Sequence, residues 1–412
     1  MGTGVVIVGA GQAACQAAAS LRQLGYAGAL TLVGEEMHLP YQRPPLSKGI
    51  LQRTTTCDAI QLRPPGFYET IRCDVRLGSR VVSIERQQHL LHLDDGTSLE
   101  YGQLVLATGA RARRYARLPH APGRVHYLRT LEDAAALSAV LASARRLAIV
   151  GAGYVGMEVA ASANQLGIEV AVFEAAPRVM QRSVGAATSN VVEAIHAQRG
   201  VRLHLDTSVD RIEADRSGAL VIHAANAAAS FTGDALVIGI GAEPNIDLAT
   251  LAGIECGRAI RVDAHCRTSD PDIFAVGDCS EQAHSLYGAG LRFESVQNAI
   301  DQAKCAAAAI AGKPPPPVGV PWFWSDQYQH RIQVAGLAQD HDQAVLRVAP
   351  DRAVGSVSQS VWYLRKRRVV AVEALDAPQD FMVGRTLIRH GTEVTAGQLA
   401  DSAVPLQAGA KN

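Results

Sequence analysis

The sequence has no excess of either charge: lysine plus arginine and aspartate plus glutamate each number 39 in 412 residues. No global field would therefore draw the chain to nucleic acid or to an anionic membrane surface, and a charged partner must meet a local patch. A cysteine framework is also missing. The seven cysteines, Cys15, Cys57, Cys73, Cys256, Cys266, Cys279 and Cys305, are odd in number, scattered, and never spaced as CxxC or CxxxxC. That pattern speaks against a disulfide scaffold, a zinc site and a protein-bound iron–sulfur cluster. No apolar run reaches the roughly 18–20 residues that span a bilayer. Nor do the first residues carry the basic stretch and cleavage site of a signal peptide. A cytoplasmic address is the expectation. Lysine is scarce beside arginine.

What is present reads as globular. Hydrophobic residues make up 48% and charged residues 19%, and the length suggests two to four domains. Val5–Val8 is a continuous apolar run, the pattern of a strand buried on both faces. A glycine turn follows at Gly9–Ala14, then a helical pattern to about Leu24 that Gly25 ends. The next strand is Ala29–Val33, closing on Gly34-Glu35-Glu36. The same order recurs: strand Leu147–Val150, turn Gly151–Gly156, helix Met157–Leu166 and strand Glu169–Phe173, closing on Glu174. The copies begin 142 residues apart, a duplication of whole domains.

Further apolar strands end in glycine at Leu104–Ala107, before Thr108-Gly109-Ala110, and at Ile273–Val276, before Gly277-Asp278. Leu236–Ile240 ends in Gly241-Ala242-Glu243-Pro244-Asn245. Lys313–Pro317 is a stiff proline connector. Strand-like segments Ile332–Ala335, Gln343–Val348, Val357–Leu364 and Val369–Glu373 follow, then a helical stretch near Gln379–His390. These make a small α+β C-terminal domain.

The first turn, Gly9-Ala10-Gly11-Gln12-Ala13-Ala14, has the form GxGxxA. Gly9 allows the tight strand-to-helix turn, Gly11 lets the backbone approach a pyrophosphate, and Ala14 permits close helix–strand packing. The helix start behind it offers free N–H groups and a positive dipole end. Glu35, 26 residues after Gly9, is placed to accept hydrogen bonds from an adenosine ribose, with Glu36 the less favoured candidate. The second turn, Gly151-Ala152-Gly153-Tyr154-Val155-Gly156, is a full GxGxxG. Glu174 follows Gly151 by 23 residues, and an acid there favours the free 2′-hydroxyl of NADH over the 2′-phosphate of NADPH. Arg178 nearby weakens that preference slightly. Two dinucleotide sites are most economically FAD and NADH, because a nicotinamide can pass hydride to a flavin stacked on it.

Beyond the glycine turns, the words VIVGAGQA, LVGEE, PYQRPPLSK, LVLATGA, LRTLEDA, GAGYVGMEVA, RTSDPDIFAVGDC, FESVQNA and PWFWSDQY run from Val5 almost to the end of the chain. In these the sequence resembles the two-dinucleotide-binding-domain flavoproteins. Within them it resembles the NADH-dependent ferredoxin reductases of bacterial oxygenase and cytochrome P450 systems, the putidaredoxin and rubredoxin reductase type. The resemblance implies two Rossmann-like domains arranged as in glutathione reductase, plus the α+β C-terminal domain. It assigns 1–112 and 246–318 to a discontinuous FAD domain, 113–245 to an NAD domain and 319–412 to the C-terminal domain. Flavin contacts would come from Gly9, Gly11, Ala13, Ala14, Glu35, Lys48, Val81, Ala107, Thr108, Gly109, Arg129, Asp278 and Val296. Asp278 would hold the ribityl chain and Lys48 would lie close to the isoalloxazine. Arg43 is either a phosphate or flavin contact or a loop charge. NADH would meet Gly151, Gly153, Tyr154, Val155, Gly156, Glu174 and Gly241, with Glu158 orienting the nicotinamide amide. Trp324 would lie in the electron-exit region. Lys48, Glu158 and Trp324 form the candidate catalytic set. Their bland readings are a surface lysine, a solvated helix face and core packing.

Disulfide reductases of this superfamily carry redox cysteines early in the chain, whereas here Tyr41-Gln42-Arg43-Pro44-Pro45-Leu46-Ser47-Lys48 has no thiol. Cys15 reads as packing, and a redox role for Cys279 is the minor alternative. Electrons must then leave the flavin directly for a separate carrier, expected to be a small acidic [2Fe-2S] ferredoxin on a basic patch. Lys304 is one docking candidate. The run Arg365-Lys366-Arg367-Arg368 is either a second or a solvated hairpin turn. Rival readings are a rubredoxin reductase, a thiol-independent NADH oxidase, a flavin-stabilised scaffold resembling apoptosis-inducing factor, and a membrane quinone reductase. Gln329-His330 and the segments Ser356–Leu364 and Val369–Leu375 depart from the family pattern, and the Ala-rich Ala224–Ser230 has no functional reading.

Overall fold

A computed structural model describes residues 4–116, 121, 123–215, 218–225, 230–349 and 357–406. Part of the Ala-rich stretch, residues 226–229, lies outside them. The chain divides into two compact units. One is Met1–Gln42, Asp58–Arg111 and Ala242–Pro321; the other is Arg43–Cys57, Ala112–Gly241 and Trp322–Asn412.

In the first unit a parallel sheet runs in the order Ile273–Ala275, Gln103–Leu106, Val5–Val8, Leu30–Val33, Asp74–Arg76. Val5–Val8 is its middle strand, paired on both sides and buried throughout. A strand covered on both faces has no polar side to show, which is why its sequence does not alternate. Helices Gln12–Gln23 and Val296–Ile310 share one core on this sheet, where Ala14, Ala17 and Ala18 join Ala303, Ala306 and Ala307. Side chains this small let backbones approach closely. The opposite face packs Val6, Val8, Leu104 and Leu106 with Val81, Ile84, Leu91 and Leu93 of a three-stranded antiparallel sheet.

The second unit repeats the plan. Its parallel sheet runs Arg202–His204, Glu169–Phe173, Arg146–Val150, Ala235–Ile238, Val125–His126, with helices Tyr154–Gln165 and Ala186–Gln198. The fold is thus the double Rossmann arrangement that the sequence suggested, with a C-terminal antiparallel sheet ordered Trp322–Gln327, His330–Gly336, Arg368–Leu375, Gln359–Arg365, Gln343–Val348 and the helix Pro378–His390. Trp322–Gln327 was not among the expected strands, because three bulky residues followed by polar ones do not alternate. The basic run is the expected tight turn: Arg365 pairs with Arg368, and Lys366 and Arg367 take positive φ of 50° and 64°.

One tie fixes the C-terminal sheet to the helix Ala186–Gln198. The N-cap of that helix is Gly185, which has no side chain to offer. Glu373 reaches this helix start, accepting from the Gly185 N–H at 2.9 Å and from the Thr188 hydroxyl at 2.5 Å. Burial pushes its carboxyl above the usual range.

Candidate functional site

The glycines of both turns fall into two kinds. A Cβ on Gly9, which has φ of +121°, would stand 2.2 Å from the Ala107 carbonyl oxygen. On Gly151, with φ of +102°, it would stand 2.4 Å from the Gly239 oxygen, and on Gly156 2.0 Å from the Gly151 oxygen. These three serve the protein's own backbone. Gly11 and Gly153 do not: both are extended, and a Cβ on either would meet no atom within 4 Å. Each is the N-cap of its helix and carries no side chain to cap it. Open space before an uncapped helix start is what a pyrophosphate requires, so both turns fit the phosphates of a dinucleotide.

Around the first turn, Ala13 and Ala14 are buried in the helix start. Asp278 sits in the short turn Gly277–Cys279, whose Gly277 N–H donates to Gln302 Oε1 at 2.7 Å. Thr108 and Gly109 are pinned by Asn245. Its Nδ2 donates to the Thr108 carbonyl at 2.8 Å, its N–H to the Gly109 carbonyl at 2.9 Å, and the Thr108 hydroxyl to its carbonyl at 2.8 Å. Neither Asn245 nor Gln302 stood out in the sequence, since each holds a turn far from it in the chain. Ala107 and Val81 are buried, and Val296 opens the helix after the capping Ser295. Glu35 is exposed and 3.8 Å from Arg80, while Glu36 accepts from Tyr41 at 2.5 Å.

In the second unit, Glu174 Oε2 accepts from the Ala152 N–H at 2.6 Å and Oε1 from the Ala176 N–H at 2.9 Å, so the acid grips the glycine turn. Arg178 reaches toward the Val184 carbonyl at 3.5 Å. Tyr154 rests edge-on against Phe323 at 4.6 Å, Val155 is exposed, and Gly241 has φ of +108°.

Glu158 is only 7% exposed, so its reading as a solvated helix face does not hold. Its Oε2 takes the Lys48 ammonium at 2.7 Å and the Ser47 hydroxyl at 2.5 Å; its Oε1 takes the Ser325 hydroxyl at 2.6 Å. Lys48 likewise is no free surface lysine. A buried charge is tolerated when it is paired and its lone pairs are filled. One carboxylate thus joins the PPLSK, GMEVA and FWSDQ words. Arg43 donates to the Arg129 carbonyl at 2.5 Å, and the Arg129 N–H to Asp133 at 2.9 Å. Trp324 and Trp322 pack at 5.5 Å, and Trp322 meets Phe381 at 5.6 Å.

None of Cys15, Cys266, Cys279 and Cys305 contacts the Glu158 cluster; Cys279 lies beside Asp278, Thr108 and Gly109. Cys15 is buried beneath the Tyr68 hydroxyl at 3.5 Å, and burial raises it. Burial also raises Cys279. Fully enclosed thiols of this kind are inert. Cys266 and Cys305, 39 positions apart, interact through their thiols; the Cys266 thiol also reaches the Gln302 carbonyl at 3.5 Å and the Cys305 thiol the Ala264 carbonyl at 3.2 Å. Lys304 and the turn Arg365–Arg368 are exposed.

His196, fully enclosed, accompanies the Glu158 cluster through Gln327 at 2.9 Å. Burial, aided by Arg199 and His330, pushes its imidazole down to about 4. The unfolded chain therefore takes up a proton below about pH 6.5 that the folded chain refuses down to about 4. Stability is full above that window and declines as pH falls through it, by about 3 kcal/mol at its lower end. Thermal melts from pH 7.5 to 4.5 are expected to drop more steeply for the parent than for His196→Gln. Parallel slopes would refute this.

Three comparisons bear on the site. The profile of the pyridine nucleotide-disulphide oxidoreductases matches residues 3–303, and that named Reductase C-terminal matches 322–410. Rhodocoxin reductase of Rhodococcus erythropolis is 41% identical over 402 residues, which cover 97% of this chain and 92% of that protein. The covalent putidaredoxin reductase–putidaredoxin complex superposes with a TM-score of 0.92 at 35% identity, covering 98% of this chain and 97% of the other. The ferredoxin reductase for the CYP199A2 system from Rhodopseudomonas palustris also gives 0.92, at 38% identity, covering 97% and 98%.

Proposed function

The chain belongs to the pyridine nucleotide-disulphide oxidoreductase family, whose members bind FAD and NAD(P)H, and from that premise we propose that it is an NADH:ferredoxin oxidoreductase serving an oxygenase such as a cytochrome P450. It is a flavoprotein oxidoreductase. Bound FAD supplies the conversion between a two-electron donor and a one-electron acceptor. The protein's part is to bind, orient and exclude water, and the reaction requires no catalytic acid, base or nucleophile.

The observation that carries this reading is Lys48, paired with Glu158 and set in a segment, Tyr41 to Lys48, that has no cysteine. The early segment in which the resemblance would place a disulfide reductase's cysteines has none here, and its Lys48 ammonium is held by a buried carboxylate. Electrons then leave without a thiol relay, for a carrier outside the chain. The relatives named for rhodocoxin and putidaredoxin support a separate redox protein as that carrier; in this reading it is a small acidic [2Fe-2S] ferredoxin, with Lys304 a candidate docking residue and NADH the donor.

In this reading Gly9, Gly11, Ala13, Ala14, Glu35, Val81, Ala107, Thr108, Gly109, Asp278 and Val296 hold FAD, and Arg43, Lys48 and Arg129 are further flavin contacts. Gly151, Gly153, Tyr154, Val155, Gly156, Glu174 and Gly241 hold NADH, Glu158 receives the nicotinamide amide, and Trp324 stands at the exit. The proposed domains are 1–112 with 246–318 for FAD, 113–245 for NADH and 319–412 at the C-terminus. Among the described residues no helix is long and apolar enough to cross a membrane.

Anaerobic titration tests the donor and stopped-flow transfer the acceptor. NADH is expected to bleach the flavin near stoichiometry, with NADPH the weaker donor because the Glu174 carboxylate repels a 2′-phosphate; Glu174→Ala should narrow that gap. The reduced enzyme should pass electrons rapidly to a small acidic [2Fe-2S] ferredoxin. Fast transfer to oxygen alone would sink the ferredoxin reading.

A further inference from the structure

The hydrogen bonds at Glu158 continue beyond its pair with Lys48. We propose that Ser325, Gln327 and His196 are positioning residues: they hold Glu158 Oε1 through a row of donors that all point the same way, keeping the carboxylate aimed at the coenzyme's nicotinamide amide. This rests on the reading of Glu158 given above.

The direction follows from what each group is able to donate. A carboxylate beside Lys48 accepts only, so the Ser325 hydroxyl commits its single proton to Oε1, at 2.6 Å. The Ser325 oxygen is then an acceptor for Gln327 Nε2, at 3.2 Å. The other contact of that amide nitrogen, Met180 Sδ at 3.5 Å, fits the same orientation, because a thioether is a weak acceptor and no donor. Gln327 Oε1 therefore faces His196 Nε2, at 2.9 Å, and the imidazole carries its proton there. Burial keeps the ring neutral, and its buried Nδ1 has no hydrogen-bond partner. A ring that leaves one nitrogen unsatisfied while donating from the other has one defined tautomer.

The row is closed to solvent: Ser325 and His196 are fully buried and Gln327 is 2% exposed. Water does not readily replace a donor lost at such a depth. Ser47 and Lys48 hold one carboxylate oxygen and Ser325 the other, so Glu158 cannot turn. Without the Ser325 hydroxyl, Oε1 is released and the carboxylate is free to rotate onto Lys48.

The test uses full-length holoprotein. Flavin reduction is followed with NADH and with reduced 3-acetylpyridine adenine dinucleotide, whose methyl ketone has no N–H to give Glu158. The variants are Ser325→Ala, which removes one atom; Gln327→Met, which leaves Ser325 in place; and Glu158→Ala as the benchmark. Ser325→Ala is expected to raise the KM for NADH about tenfold, the worth of one hydrogen bond to a charged group, with kcat little changed. It should shrink the preference for NADH over the analogue by a similar factor. Gln327→Met should shift both in the same direction by less. Flavin content and melting temperature are read alongside. Should both variants lower stability or kcat but keep the parent's preference between the coenzymes, the row is structural only and the proposal falls. Should Glu158→Ala also keep that preference, it is the reading of Glu158 that fails.

Discussion

Gly11→Val is expected to give a folded protein that purifies colourless. Its backbone is extended, at φ −104° and ψ −163°, a region any residue adopts. Apart from its two chain neighbours, nothing lies within 4 Å of the added Cβ, so the substitution should leave the fold undisturbed. What the new methyls would occupy is the space before the helix Gln12–Gln23, where a pyrophosphate would draw on that helix's first N–H groups. Losing two charge-assisted hydrogen bonds costs about 3–6 kcal/mol, which weakens FAD by at least about 100-fold. The absorbance ratio at 450 and 280 nm, an FAD titration and a melting curve of the apoprotein check this. A yellow protein with full flavin occupancy would contradict the assignment. Gly9→Ala is the contrasting control. Its side chain would meet the Ala107 carbonyl at 2.2 Å in a left-handed conformation, so it should damage the protein itself.

Gly153→Val should separate the two coenzymes. Gly153 is likewise extended, with nothing within 4 Å of an added Cβ, so the variant is expected to stay yellow and stable. NADH binding should weaken by about 100-fold or more, for the same reason. Dithionite should still bleach the flavin at the parent's rate, because it does not use the dinucleotide turn. Unchanged reduction at micromolar NADH would remove the second turn from the coenzyme site. Joint loss of flavin and NADH response would mean that the two turns do not serve separate ligands.

What the sequence made legible follows from range. Each glycine turn is written in about thirty consecutive residues, from apolar run to terminal acid, so both βαβ units and their ends could be read. The burial of Glu158 could not. It depends on Ser47 and Ser325, which stand 111 and 167 positions away, and no local period announces such a meeting. The same holds for Asn245 locking Thr108, 137 positions away, and for the adjacent thiols of Cys266 and Cys305. The roles read for Gly9 and Gly11 from their order in the turn fit the structure, but the backbone atoms that crowd Gly9 and Gly151, at Ala107 and Gly239, lie about 90 positions or more along the chain and no local pattern names them.

The chain passes from one compact unit to the other at 42/43, 57/58, 111/112, 241/242 and 321/322, five times in all. The fifteen residues Arg43–Cys57 that carry Lys48 are coded inside the first unit but pack with the second. A cassette cut at 113–245 would therefore leave behind Arg43–Cys57 and the C-terminal segment that cluster with it. Grafting the second unit onto another reductase would require three separate inserts, and a cut between the glycine turns would part Lys48 from Glu158. Engineers seeking a new donor specificity in this scaffold should change side chains in place.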